Sequence, residues 1–478
     1  MKRPNILLII ADQLRSDALG CYGNNICLTP HLDGLAAEGA CFDNTYTVAP
    51  VCSPARCSML TGLYPHTHKV QLNTHVDTRT SNGLDPTLPT FSKIMKDLGE
   101  YRMHYLGKWH VHQELSPTEF GFDSWQPYPN HIPPDHLGNC QKIQFLSEIQ
   151  LVNAVHVGEP EELGSYRIAQ AGASFLKKQC EDDKPFFLRL DFTQPHFSNI
   201  VPKKFADMYA ETPIPQWKNF NETFENKPYG HFRKHKEWAL EDKDWSWWEK
   251  VVRMYYADVS YLDDCCGIVL DTLRRLSIAN DTIVIFTADH GDPTGMHRHF
   301  EKGGTMYDEV MRVPMIVKWP GKAQPGQHFP QMIRNMDICP TILKMAGLEP
   351  PADIHAKDFS CIVDGSSNDW YDSVYTEYHG DVWGMYTQRM VRTVEWKYVY
   401  NPYDMDELYN MKNDPYELHN LIDNPDYHEA QLEMRSRFIN WVDETNDVLT
   451  YSFVRRMFPD AAKRNKNKKV LIDSFDTK

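Results

Sequence analysis

The chain has 478 residues, the length of about three average domains or of one large α/β domain with an appendage. Its 65 acidic and 50 basic residues leave a net charge of −15, the wrong sign for the basic face that nucleic-acid phosphates require. With 41% apolar and 12% aromatic residues the chain can bury a sizeable core, which excludes disorder throughout. It has no run of eighteen apolar residues, so a membrane-spanning helix is excluded as well.

The first predicted element, a strand over Asn5–Ala11, follows Met1-Lys2-Arg3 and so has the outline of a short signal peptide. The apolar run stops at Asp12 with no small-residue cleavage pattern behind it, which favours a buried parallel strand. The expected location is therefore cytoplasmic, with the periplasm or secretion as the alternative if a leader has been trimmed. The 11 cysteines include no Cys-x-x-Cys pair and read as reduced thiols rather than a disulfide framework. Further strands are predicted at 101–107, 186–192 and Thr282–Ala288. Between the last two lies a helix whose apolar residues Val252, Tyr255, Val259, Leu262, Cys266, Val269 and Leu273 step by three and four. Strands alternating with helices specify an α/β fold, a mostly parallel sheet with helices on both faces. The stretch 202–249, with Trp217, Trp238, Trp245, Trp247 and Trp248 at or near it, breaks this rhythm as an insertion. It is expected either to wall an active-site rim or to form a small satellite core. After a turn-rich passage at 350–368 come β-type runs at 373–378 and 389–400 and a helix within His428–Thr445. The chain thus divides into a large α/β domain, 1–365, and a smaller α+β subdomain, 366–478. The basic run from Lys463 to Lys469 reads as a solvated terminus.

Each of the four strands ends in chemically capable residues: Asp12-Gln13, Lys108-Trp109-His110, Gln194-Pro195-His196 and Asp289-His290-Gly291. Ligands of open α/β sheets bind outside the carboxyl ends of the strands, so these groups are expected to share one rim. Asp12, Gln13, Asp289 and His290 could hold one divalent cation. Their oxygens suit Ca²⁺ or Mg²⁺, and an imidazole leans toward Mn²⁺ or Zn²⁺. In the segment from Pro50 to Gly62, Pro54 suits the first turn of a helix and Gly62 its end. Cys52 then sits at a helix N-terminus, which favours an anion, with Arg56 four residues on to brace a group there. On these grounds Cys52 is a low-pKa thiol, an anion site or a buried structural cysteine.

Cys52-Ser53-Pro54-Ala55-Arg56 resembles the Cys-x-Pro-x-Arg signature of the type I, formylglycine-dependent sulfatases of the alkaline-phosphatase-like superfamily. Tyr105-Leu106-Gly107-Lys108-Trp109-His110 resembles their second signature. Thr287-Ala288-Asp289-His290-Gly291, Gly295-Met296-His297, Lys302 and Arg312-Val313-Pro314-Met315-Ile316 resemble a third block. Asp406-Glu407-Leu408-Tyr409-Asn410, with Asp414-Pro415 and Glu417-Leu418-His419-Asn420-Leu421, is similar to the family's C-terminal subdomain. The resemblance implies that Cys52 is oxidised to formylglycine (3-oxoalanine) by a formylglycine-generating or anaerobic sulfatase-maturing enzyme. It further implies that Arg56 orients that residue and that Asp12, Gln13, Asp289, His290 and residue 52 bind one cation, normally Ca²⁺. Lys108, His196 and Lys302 would contact the sulfate, and His110 would assist turnover. A sulfated small molecule or glycan is the implied substrate, with rim loops at 73–84 and 113–140 setting specificity. His66, His68, His297 and His299 are additional candidates, for substrate contact or for support of the site. Gln13 and His290 depart from the commonest pattern, which keeps a phosphonate monoester or phosphodiester hydrolase as the alternative. A silent sulfated-glycan binder is the reading from a different class. Replacing Arg56 by Ala is expected to lower activity with little effect on stability.

Overall fold

The computed structural model describes residues 3–76, 81–128, 132–179, 184–381, 384–447 and 451–464. In chain order the first strands are β1 (Asn5–Ala11), β2 (Ala40–Tyr46), β3 (Arg102–Gly107), β4 (Ser124–Pro127), β5 (Leu137–Phe145) and β6 (Glu148–His156). They are followed by β7 (Phe186–Asp191), β8 (Asn199–Pro202), β9 (Thr282–Ala288), β10 (Arg312–Val313), β11 (Met315–Lys318) and β12 (Gln327–Arg334). The last four are β13 (Ser373–Asp381), β14 (Gly384–Thr393), β15 (Trp396–Tyr400) and β16 (Glu407–Asn410).

Along β1, Ile6, Leu8 and Ile10 pack into the core on one side of the sheet, and Leu7, Ile9 and Ala11 into the core on the other. A strand apolar on both faces belongs at the centre of a helix-covered sheet. The main sheet has the order β10-β2-β11-β9-β1-β7-β3-β4, with β12 alongside β2. From β9 to β4 all neighbours are parallel, whereas β11 runs antiparallel to both β9 and β2. The long helix Trp245–Arg275 lies on one face, its first turn capped by Asp244, whose side chain accepts from Trp247 N at 3.1 Å. The predicted stripe from Val252 to Leu273 is buried there, as are Cys265 and Cys266.

Two smaller sheets flank the main one: β5-β6-β8, and the antiparallel β13-β14-β15-β16. The single run predicted at 389–400 is two strands, because Val394-Glu395 turn the chain and set Arg389 opposite Tyr400. The closing helix His428–Thr445 packs Phe438, Ile439 and Val442 onto Tyr375, Val391 and Tyr398 of this sheet, and the same cluster takes in Val48 and Tyr64 of the N-terminal part. The tryptophan-rich insertion forms a satellite core. Trp238 and Trp248 are buried with Phe220, Leu240 and Phe300, and the Trp238 ring lies 4.2 Å from that of Phe145 on the β5–β6 hairpin. Among the described residues no helix is long and apolar enough to cross a membrane. Residues 465–469 of the basic tail, Met1-Lys2, and the stretches 77–80 and 129–131 of the predicted rim loops lie outside the described residues.

Candidate active site

Because β9, β1, β7 and β3 are consecutive and parallel, their carboxyl ends open on one edge and carry Asp289, Asp12, Asp191 and Lys108 in a row. Backbone hydrogen bonds tie these ends together: Asp289 N donates to Ala11 O (3.2 Å), Asp12 N to Gln194 O (3.1 Å) and Lys108 N to Asp191 O (3.0 Å). The helix Cys52–Thr61 ends where Gly62, at φ 71°, donates its N–H to Ser58 O (2.8 Å). All ten of its residues are buried, and its first residue faces the row of strand ends.

Cys52 Sγ lies 3.2 Å from His290 Nε2 and 3.7 Å from both Asp12 Oδ1 and Lys108 Nζ. Ligand atoms of Asp12, Cys52, Asp289 and His290 all fall within 4.8 Å of one another, and all four residues are buried. His290 Nδ1–H donates to Gly291 O (3.0 Å), which fixes the tautomer and turns the Nε2 lone pair inward. Burial alone pushes the Cys52 thiol up, but Lys108, Lys302 and His290 outweigh it and hold the group well below the ordinary thiol range. Burial and the neighbouring Asp12 carboxylate push Asp289 up. Burial also opposes ionisation of Asp12, yet Lys108, His196 and Arg56 bring it down to about 2. Burial disfavours the charged His290 imidazole, but Asp289 and Cys52 raise it to about 9. Two carboxylates, an acidic thiol and an inward lone pair thus demand positive charge at one point. A divalent cation fits this donor set, since it supplies that charge and takes a neutral imidazole.

The surrounding cations are fixed by carboxylates. Arg56, fully buried, pairs with Asp191 (2.6 Å), Asp289 (2.9 Å) and Asp12 (3.5 Å). Lys108 Nζ bonds Asp12. Lys302 Nζ bonds Glu301 Oε1 (2.5 Å), Gln13 Oε1 (2.8 Å) and His196 Nε2 (2.8 Å). Gln13 therefore uses its amide oxygen on Lys302, while its Nε2 donates to Asp292 and to Glu301 Oε2 (3.4 Å). His110 is drawn down to about 4 by burial and by Lys108, and its Nε2 meets His75 Nδ1 at 2.7 Å.

The four additional histidines are buried supports, and none lines the cavity at Cys52. His66 binds Glu377 of β13, His68 Nε2 meets Ser58 Oγ at 3.0 Å, His297 stacks on Tyr307 with centroids 3.6 Å apart, and His299 Nε2 bonds His231 O at 3.0 Å. Sequence reasoning missed Asp191, Glu301, His75, Asn73 and Asp381. Asp191 was concealed inside an apolar strand, although its spacing to Arg189 puts the two on one face, and they do pair at 2.7 Å. Asp381 is brought in from β13, takes both bonds of Asn73 Nδ2 (3.2 Å each), and is pushed up to about 7 by burial.

Against known proteins, a family model described as Sulfatase matches residues 4–348, and one described as N-sulphoglucosamine sulphohydrolase, C-terminal, matches residues 295–444. The chain is similar to the sulfatase YidJ of Escherichia coli, at 28% identity over 94% of this chain and 88% of that protein. It is also similar to the N-acetylglucosamine-6-O-sulfatase of Bacteroides thetaiotaomicron, at 25% identity over 91% and 85%. The solved structure of a sulfatase from Bacteroides fragilis superposes with a TM-score of 0.77 at 26% identity, covering 93% of this chain and 97% of the other. The sulfatase match spans more than two thirds of the sequence, and the chain belongs to the sulfatase family, as a sulfuric ester hydrolase with an α/β fold.

Proposed function

We propose that the protein removes sulfate from a sulfated carbohydrate, using residue 52 as a formylglycine made from Cys52. The observation that carries this is the position of Cys52: buried at a helix start, against Asp12, Asp289 and His290, and at the floor of a cavity it shares with Lys108, His110 and Lys302. The aldehyde hydrate supplies the attacking hydroxyl. Asp12, Asp289, His290 and residue 52, with Gln13 beside them, would hold one divalent cation, Ca²⁺ by the family's habit, which offsets the charge of the sulfate. Lys108 and Lys302, kept protonated by Asp12 and Glu301 against the effect of burial, bind sulfate oxygens and the charge that grows on the leaving oxygen. His196, whose Nε2 accepts from Lys302 (2.8 Å), is placed to contact the sulfate beside that lysine. His110 is held neutral at working pH and can take a proton from the hydroxyl at residue 52. Arg56 keeps Asp12 and Asp289 in place. The carbohydrate preference is supported by the named activity of the Bacteroides relative.

The test is mass spectrometry of the Cys52 peptide from protein made with and without a formylglycine-generating enzyme, alongside turnover of one phenol's sulfate monoester and phosphate diester. An aldehyde mass together with sulfate release and little diester turnover is expected. Cys52→Ala should abolish release while the protein remains folded. A matured protein that binds sulfated glycan without releasing sulfate would reject the reading.

A further inference from the structure

The cavity that reaches Cys52 encloses about 350 Å³, with Phe145, Gln150 and Trp238 on one side. Its other side, formed by His75, Lys108, His110, His196 and Phe197, also walls a second cavity of about 820 Å³. Lys108 and His196 line both spaces, so the larger one lies directly against groups assigned above to the sulfate. The larger space has the size of a site for a drug-sized or larger ligand, well beyond the remainder of a single sugar. Its lining also includes Trp125, Tyr128, Gln113 and Gln194. Aromatic faces with a few uncharged hydrogen-bonding groups match the apolar C–H faces and hydroxyls of a saccharide. The Trp125 ring is anchored to the catalytic rim, because its Nε1 donates to Gly107 O (3.1 Å), the residue before Lys108. Tyr128 OH is 3.4 Å from Gln194 Oε1, on the segment that leads to His196. The platform and the catalytic groups are therefore held in one frame.

We propose that the larger cavity binds the sugar units adjoining the sulfated one, so that the substrate is a sulfated oligosaccharide or polysaccharide crossing the site rather than a sulfated monosaccharide. This rests on the sulfatase reading of the Cys52 pocket. The test compares kcat/KM of the matured protein on 4-methylumbelliferyl sulfate and on sulfated mono-, di- and tetrasaccharides prepared from heparin, chondroitin sulfate, carrageenan and ulvan. In the series that is cleaved, kcat/KM should rise about tenfold or more from mono- to tetrasaccharide. Trp125→Ala should cut that tetra-to-mono ratio by about fivefold or more. Gln113→Ala, at an exposed position outside the core, gives the same readout if the tryptophan variant does not fold. The proposal is overturned if the monosaccharide is cleaved as well as the tetrasaccharide, if both variants keep the parent's ratio, or if only the aryl sulfate is cleaved. Failure on the aryl sulfate as well, with the aldehyde present at residue 52, would instead sink the sulfatase reading and this inference with it.

Discussion

Arg56 touches Asp12, Asp191 and Asp289, all without solvent exposure. The sequence reads it as a brace whose loss has little effect on stability, whereas its three buried ion pairs argue for a structural cost as well. Arg56→Ala leaves Asp289 without its arginine and takes one of two cations from Asp12 and Asp191, which keep Lys108 and Arg189, and breaking a buried ion pair of this kind costs about 3–5 kcal/mol. Chemical denaturation of Arg56→Ala should show that loss, and an unchanged midpoint would mean the carboxylates find other partners. Asp258 is the opposite case. It is fully buried in the long helix, accepts from Asn199 Nδ2 (3.0 Å), and has no partner on Oδ1 among the described residues. Burial pushes its carboxyl well above the ordinary range. Above the unfolded value, near pH 4, the folded state holds one more proton than the unfolded, so stability declines as pH rises toward the folded value. Asp258→Asn removes that penalty and should stabilise by about 1–3 kcal/mol at pH 8, with the advantage shrinking toward pH 4. Melting curves of the two proteins across that range decide it, and a pH-independent gap counts against the account.

At the scale of elements, the four-stranded sheet is held against the catalytic part by a charged seam as well as by its apolar cluster. Glu377 of β13 accepts from His66 N (3.2 Å) and His379 Nε2 (2.7 Å), and also pairs with the His66 ring. Burial opposes the Glu377 charge, but His66 and His379 hold the carboxyl well below the usual range. The pair thus stabilises above the ordinary glutamate pKa, and its contribution is lost as pH falls through the folded value. Glu377→Gln should cost about 3 kcal/mol at neutral pH and loosen β13, with Asp381 at its end, against the site. Hydrogen exchange of β13 relative to β1 would show this, and equal protection in both proteins would confine Glu377 to a local role. The predicted strand Thr282–Ala288 matches the structure residue for residue, and the closing helix expected within His428–Thr445 fills that range, because apolar periodicity states local shape directly. The run at 389–400 misled because a tight hairpin leaves no gap in β propensity.

For the whole molecule, a cation held as proposed by Asp12, Cys52, Asp289 and His290 would link metal to folding. A cation that binds only the folded chain stabilises it by mass action. Treatment with a chelator should therefore lower the melting temperature, and added Ca²⁺ should restore it in a concentration-dependent way. A melting point indifferent to both would leave the four residues without a metal role. The same convergence explains which parts of the site could be read in advance. Asp12, Lys108, His196 and Asp289 each follow a run whose apolar pattern marks a strand, so the sequence alone indicates an α/β sheet, the strand ends that bear chemistry and the helix that presents Cys52. Strand order is not written locally: that β9, β1, β7 and β3 lie side by side follows from long-range packing of faces that are all similarly apolar. Only the tertiary structure, for the same reason, buries His66, His68, His297 and His299 away from the cavity, spends the Gln13 amide on Lys302, and brings Asp381 to the pocket from the other sheet. Hydrophobic pattern fixes which face of an element turns inward, whereas the neighbours it meets there depend on how all the elements close together.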